Sequence, residues 1–261
     1  MSAATRLPVV FVSHGAPDAL LKSPGVVRCW EAIGRALPTP TAILAVSAHW
    51  ETRQPTASLA GAPATLHDFS GFSPALTRMQ YPAPGAPALA ERAAQLLGQA
   101  DIVVDLHPNR GLDHGAWVPL KAMWPLANLP VTQLSVVRQS PAAHFAIGQA
   151  LAPLRAEGVL ILASGAITHN FNWLDWQTPE TVTPHPQALA FADWVTARLE
   201  ASEVTQLLDY RRAPYGAAAH PSEEHLLPLF VAMGAGDDDK PTHHRPPFAY
   251  GGLAMDAYVW P

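Results

Sequence analysis

The run Pro8-Val9-Val10-Phe11-Val12-Ser13-His14-Gly15 decides how the chain is read. Its apolar core is short, rich in β-branched residues and closed by small residues, which is the signature of a buried strand. The same pattern returns in Ala42-Ile43-Leu44-Ala45-Val46, continuing through Ser47-Ala48-His49-Trp50. It returns again in Gly158-Val159-Leu160-Ile161-Leu162, continuing through Ala163-Ser164-Gly165-Ala166-Ile167-Thr168-His169-Asn170. Val131 to Val137 reads as a fourth strand.

Helical patterns lie between these runs. In Pro87 to Gly98, residues Leu89, Ala93, Leu96 and Leu97 share one face. Pro141 to Ala156 aligns Ile147, Leu151 and Leu154, with Ser140 placed as N-cap and Pro141 at the first helical position. Pro186 to Leu208 reads as the longest helix, and His225 to Met233 as a shorter one. Gly234 to Pro247 reads as an exposed loop, and the tail from Gly251 to Trp260 as strand. Strand and helix alternate. The expected architecture is therefore an α/β sandwich whose central, mostly parallel or mixed sheet is flanked by helices, built as a single domain over residues 1–261.

Composition narrows the function. Apolar residues make up 49% of the 261 residues and charged residues 14%, so there is ample material for a core. The 27 prolines are scattered and punctuate loops. A net charge of −5 without a basic stripe argues against nucleic acid as a partner. No apolar stretch is long enough to span a membrane, and Met1 to Leu7 leads straight into a strand without a signal-peptide core, so a cytoplasmic enzyme is expected. Cys29 is the single cysteine; it falls in a helical stretch and reads as structural. The excess is in histidine, with 12 residues, so any bound metal would rest on imidazole and carboxylate.

Three of these histidines, His14, His49 and His169, follow buried strands and are flanked by small residues. The carboxyl ends of strands line the ligand crevice in open α/β sheets, so three imidazoles delivered there can converge. Any one alone would read as a hydrogen-bonded histidine at a strand end. Asp113-His114 lies in a glycine-flanked loop before a helix, and His67-Asp68-Phe69 is a weaker candidate. In His220-Pro221-Ser222-Glu223-Glu224-His225 two histidines stand five apart, and His225 reads as a solvated helix residue. His107, His144, His185, His243 and His244 carry no chemical context and read as surface residues. The nucleophile elbow, the dinucleotide fingerprint and the P-loop are all missing. Trp50, Phe69, Phe72, Trp117 and Phe171 stand near the candidate histidines, as core residues or as walls for an aromatic substrate.

Taken in order, Ser13-His14-Gly15, Val46-Ser47-Ala48-His49-Trp50-Glu51-Thr52, His67-Asp68-Phe69, Tyr81-Pro82-Ala83-Pro84-Gly85, Gly111-Leu112-Asp113-His114-Gly115-Ala116-Trp117, Thr168-His169-Asn170 and His220 to His225 resemble the class III extradiol ring-cleavage dioxygenases. The branch they resemble is the 4,5-DOPA extradiol dioxygenase family, over Pro8 to Trp260. The resemblance implies an α/β fold and a non-haem Fe(II) site held by His14, His49 and His220. Glu223 and Glu224 offer a carboxylate close by. It implies His169 as the acid/base, which in some relatives also touches the metal, and His114 as a residue of the substrate pocket. Its substrates would be a small DOPA-like aromatic diol and O2. Zinc can occupy such sites, and three imidazoles suit it as well as iron. The alternatives are a zinc-dependent hydrolase using the same cluster and a non-catalytic metal-binding relative. The oligomeric state is not legible in the sequence.

Overall fold

The apolar runs lie side by side in a computed structural model that describes residues 6–261. Met1 to Thr5, on which the reading of a leaderless start partly rests, lie outside the described residues. The strands are β1 (Val9–Ser13), β2 (Ala42–Thr52), β3 (Thr56–Ser58), β4 (Asp105–His107), β5 (Val131–Val137), β6 (Val159–Gly165), β7 (Glu180–Thr181), β8 (Thr242–His244), β9 (Phe248–Ala249) and β10 (Ala257–Trp260). Eight of them form one sheet in the order β4-β3-β5-β2-β6-β1-β10-β8, while β7 and β9 pair separately. The centre, β5-β2-β6-β1, is parallel. β10 runs antiparallel to β1, β8 antiparallel to β10, and β3 antiparallel to β5, so the sheet is mixed.

Helices cover both faces, which explains why the central strands are apolar without alternation. On one face Val9, Phe11, Leu44, Val46, Ile161 and Ala163 meet helices Pro87–Gln99, Pro141–Leu151, Pro186–Glu200 and Leu227–Gly236. On the other, Val10, Val12, Ile43, Ala45, Leu160 and Leu162 meet helices Pro24–Ala36 and His114–Met123. Ser140 caps its helix as expected, accepting from the Ala143 N–H. No helix among the described residues is long and apolar enough to cross a membrane.

Several boundaries depart from the sequence reading. The long helix expected to Leu208 stops at Glu200; Ser202 is left-handed (φ 58°), and a second helix, Val204–Leu208, follows. The expected loop from Gly234 instead holds the last turn of a helix and then β8, an edge strand on β10. The final strand is shorter than expected and starts at Ala257. His144 is a core residue, not a surface one. It donates from Nδ1 to the Ser140 carbonyl (3.1 Å) and accepts the Val137 N–H at Nε2 (3.2 Å), joining the end of β5 to the following helix.

Helices Pro141–Leu151 and Leu227–Gly236 cross where Gly148 faces the Val231 carbonyl and Gly234 faces the Phe145 carbonyl. A Cβ at either glycine would overlap the opposing carbonyl oxygen. Alanine is the better helix former by about 1 kcal/mol, so at an exposed site Gly148→Ala would stabilise. Here the overlap forces the helices apart at a cost of about 1–3 kcal/mol. We expect Gly148→Ala to lower the urea midpoint with an unchanged slope; a midpoint equal to or above that of the parent chain would show that the crossing yields freely.

Candidate metal centre

Because β2, β6 and β1 are parallel neighbours, their carboxyl ends open on one edge of the sheet. His14 follows β1 directly, and its N–H donates to the Gly165 carbonyl at the end of β6 (2.9 Å). His49 sits inside β2, where pairing with β5 slips between Ser47 and Glu51. Such an irregularity re-aims side chains. Ser47 anchors it by donating to Asp113 Oδ1 (2.6 Å) while accepting the His49 N–H (3.2 Å).

The third imidazole at this edge is His225, not His220. Ring nitrogens of His14, His49 and His225 all lie within 4.8 Å of one another. His49 Nε2 is 3.0 Å from His14 Nε2 and 3.2 Å from His225 Nε2. His225 precedes a helix, Leu227–Gly236, that is buried along its whole length. Its carbonyl accepts the Ala166 N–H (2.7 Å) and packs where any Cβ on Gly165 would stand. The sequence carried this signal: Leu226 to Gly236 is almost wholly apolar, and a helix apolar on every side is buried. The residue that leads into it is drawn inside with it.

His220, expected as the third ligand, points elsewhere. Its Nε2 donates to the Ile167 carbonyl (2.8 Å), and its ring packs edge-on against Phe191 and Tyr210, each 5.8 Å away. Burial pushes it down to about 4, so it is a neutral core residue. Neither glutamate joins the converging nitrogens. Glu224 Oε1 accepts from His225 Nδ1 (2.9 Å) and from Ser222 (2.9 Å), and Glu223 pairs with Arg211 (3.2 Å). The hydrogen bond from His225 holds Glu224 down to about 2.

The outer nitrogens define what the inner ones can do. The Ser164 hydroxyl donates its one proton to the Gly115 carbonyl, so towards His14 Nδ1 (3.0 Å) it accepts. Glu224 accepts from His225 Nδ1, and Asp68 Oδ2 lies 3.5 Å from His49 Nδ1. For His14 and His225 the outer partner thus sets the proton on Nδ1 and turns an Nε2 lone pair inward, and the carboxylate facing His49 Nδ1 favours the same tautomer there. Burial, reinforced by the neighbouring imidazoles, lowers His14 and His49 well below the usual histidine range, and burial also lowers His225. Three neutral imidazoles facing one another with lone pairs repel unless a cation stands between them. The donor set fits a divalent transition metal whose ligands are oriented from behind by carboxylate and hydroxyl.

His114 and His169 flank this point. Asp113 caps helix His114–Met123, which makes His114 its first residue. Asp68 takes the His114 backbone N–H on Oδ1 (2.9 Å) and His114 Nδ1 on Oδ2 (3.0 Å). Burial alone would raise Asp68, but the bonds from His114 outweigh it and hold the carboxylate below its ordinary value. His169 stacks on His225 with centroids 3.5 Å apart and planes 12° from parallel. Its ring nitrogen groups with Glu224 and His225, not with the His14–His49–His225 set, so the structure does not place it as a fourth member of that set. Asp68 was the weaker sequence candidate, since nothing local shows that residue 68 meets residues 49 and 114.

A cleft of about 290 Å³ opens onto the cluster. His49, His114, His169 and His225 form its polar end, and Phe69, Phe72, Phe171, Trp176 and Leu253 its apolar walls. An aromatic ring suits such walls, and hydroxyls on its edge would meet the imidazoles.

Comparison with known proteins agrees with this geometry. The family described as the catalytic LigB subunit of aromatic ring-opening dioxygenase matches residues 9–259. The chain is 40% identical to a 4,5-DOPA dioxygenase extradiol of Escherichia coli K12 over 241 residues, covering 91% of this chain and 88% of that one. It is 42% identical to a 4,5-DOPA dioxygenase extradiol of Beta vulgaris over 237 residues, covering 88% and 87%. A crystal structure of an uncharacterized Escherichia coli K12 protein superposes with a TM-score of 0.80 at 35% identity, covering 98% of this chain and all of the other. Sheet, histidine cluster and sequence therefore converge, and the chain belongs to the LigB family of aromatic ring-opening dioxygenases.

Proposed function

We propose that this protein is a non-haem Fe(II) extradiol dioxygenase that opens the ring of a DOPA-like catechol with O2, its metal held by His14, His49 and His225. The observation that carries this reading is the inward convergence of three Nε2 lone pairs at the polar end of an aromatic-walled cleft. Bound Fe(II) would supply the electron steps that let triplet O2 react with a closed-shell catecholate, which the filled d shell of Zn(II) cannot do.

The chain's own groups prepare the substrate. His114 keeps its proton on Nδ1 against Asp68, so its Nε2 is free to accept a hydrogen bond from a substrate hydroxyl and orient it. His169 lines the same cleft, and burial, with the neighbouring imidazoles, pushes it down to about 2. It therefore rests neutral with a ring lone pair for a substrate hydroxyl, and the negative charge of a bound catecholate would raise its basicity so that it can hold the proton and return it later. Phe69, Phe72, Phe171 and Trp176 hold the ring and keep water from it. Half-buried Cys29 has its thiol pushed up to about 11 by burial, and a single inert thiol suits a reducing, cytoplasmic setting.

Oxygen uptake measured on one preparation, loaded anaerobically with Fe(II) or with Zn(II), tests the reaction. The iron form should consume O2 and catechol one for one, and the zinc form neither. Equal ring cleavage by both would refute the iron assignment, and ester or amide hydrolysis by the zinc form alone would establish a hydrolase instead. Metal retention on dialysis tests the ligand set: His225→Ala should lose the ion and His220→Ala should keep it, the reverse overturning the assignment. His169→Ala should retain metal yet lose roughly 10²–10⁴-fold in turnover; loss of the metal in that variant would make His169 a ligand.

A further inference from the structure

Asp68 does more at the site than hold His114. It comes from the loop between β3 and the short helix Pro74–Thr77, and that loop is tied down around it. Leu66 donates to the Leu112 carbonyl (2.8 Å), the Leu66 carbonyl accepts from Trp117 Nε1 (2.8 Å), and His67 Nε2 bonds the Met79 carbonyl (3.0 Å). The carboxylate so held meets two rings through one oxygen. Oδ2 is 3.0 Å from His114 Nδ1 and 3.5 Å from His49 Nδ1, while Oδ1 is taken by the His114 backbone N–H (2.9 Å). The two rings lie close, with centroids 3.9 Å apart and planes tilted by 48°.

We propose that Asp68 is a positioning residue that couples the metal ligand His49 to the substrate-facing His114, its shared Oδ2 holding both rings in the tautomer that turns Nε2 towards the reaction. The proposal rests on the reading that His49 binds metal and His114 meets substrate. An imidazole is a ligand or an acceptor only at the nitrogen without a proton. A carboxylate, which can only accept, forces the proton of each ring onto the nitrogen facing it. Because one oxygen, hydrogen-bonded to His114 and in ion-pair range of His49, faces both Nδ1 atoms, a flip of either ring changes the hold on the other. Ordering of one ring therefore lowers the cost of ordering the other, and metal and substrate binding reinforce each other reciprocally.

Asp68→Asn isolates the effect. The amide oxygen can still accept the His114 backbone N–H, while the amide nitrogen, a donor, replaces Oδ2. The measurements are Zn(II) affinity by chelator competition, catechol affinity of the zinc-loaded protein under anaerobic conditions, and the imidazole tautomers by nitrogen-15 NMR. We expect zinc affinity to fall 10–100-fold, catechol affinity to fall by a similar order, and at least one of the two rings to move its proton to Nε2. Asp68→Glu, which restores a carboxylate, should recover part of both affinities. Circular dichroism that matches the parent chain excludes unfolding as the cause, and a variant that failed to fold would be replaced by Asp68→Glu alone, where full parental affinities with a changed tautomer would overturn the proposal. Zinc and catechol affinities of Asp68→Asn both within twofold of the parent would overturn it, as would a fall in only one of them. A parent chain that binds no zinc would refute the underlying metal reading, and the Asp68 proposal with it, which is a different result from a parent that binds zinc and a variant that binds it equally well.

Discussion

The Asp113 carboxylate has no exposed surface, and the geometry of the site hangs on the donors that surround it. Oδ1 accepts from the Ser47 hydroxyl (2.6 Å) and the Ala116 N–H (3.2 Å); Oδ2 accepts from Gln133 Nε2 (2.8 Å) and Arg110 (3.4 Å). A buried charge is tolerated when its lone pairs are filled in this way, and removing one donor leaves the rest uncompensated. These donors come from β2, from β5, from helix His114–Met123 and from the loop before it. One carboxylate thereby sets the slip in β2 that carries His49, and as N-cap it sets the first turn that carries His114. Arg110 adds to the same knot by bonding the His49 carbonyl (3.3 Å) and lying over the Trp50 ring (5.3 Å).

Outside this knot a regular order runs from the three converging imidazoles outward. Each inward-facing imidazole is backed by a different group: a hydroxyl behind His14, a carboxylate from a distant loop behind His49, and the adjacent Glu224 behind His225. The variety matters physically. A serine that is itself a donor to Gly115 can only accept from His14, so it fixes the tautomer without adding charge. Carboxylates fix it and also raise the basicity of the ring. The site thus holds neutral imidazoles in a buried place while keeping two carboxylates, Asp68 and Glu224, at its rim, a balance suited to a divalent cation.

His220 and His225 differ in what surrounds them in the fold and not in their local sequence context. Both histidines lie in one short motif, and a strand-end argument does not reach either. His220, beside a proline, resembles a ligand in sequence, yet its ring is captured by the Ile167 carbonyl and two aromatic rings. His225 resembles a solvated residue until the apolar helix after it is recognised as buried on every side. His144 repeats the lesson. It falls in a helical stretch without a chemical motif, yet both its ring nitrogens are used inside the core.

By itself the sequence determined the sheet and the edge at which chemistry occurs. Buried strands covered on both faces must be apolar throughout, and Val9 to Val12, Ala42 to Val46 and Val159 to Leu162 meet that demand and deliver His14, His49 and His169 to one edge. Local capping was equally legible, since Ser140 and Asp113 act within a few residues of themselves. The tertiary structure alone decided which nitrogens converge. His225 and Asp68 are brought to His49 from 176 residues and from a separate loop, by packing of an apolar helix and by hydrogen bonds between segments distant in sequence. Such contacts have no period and no local spacing, and a ring's tautomer depends on the partner that its outer nitrogen finds only in the folded chain.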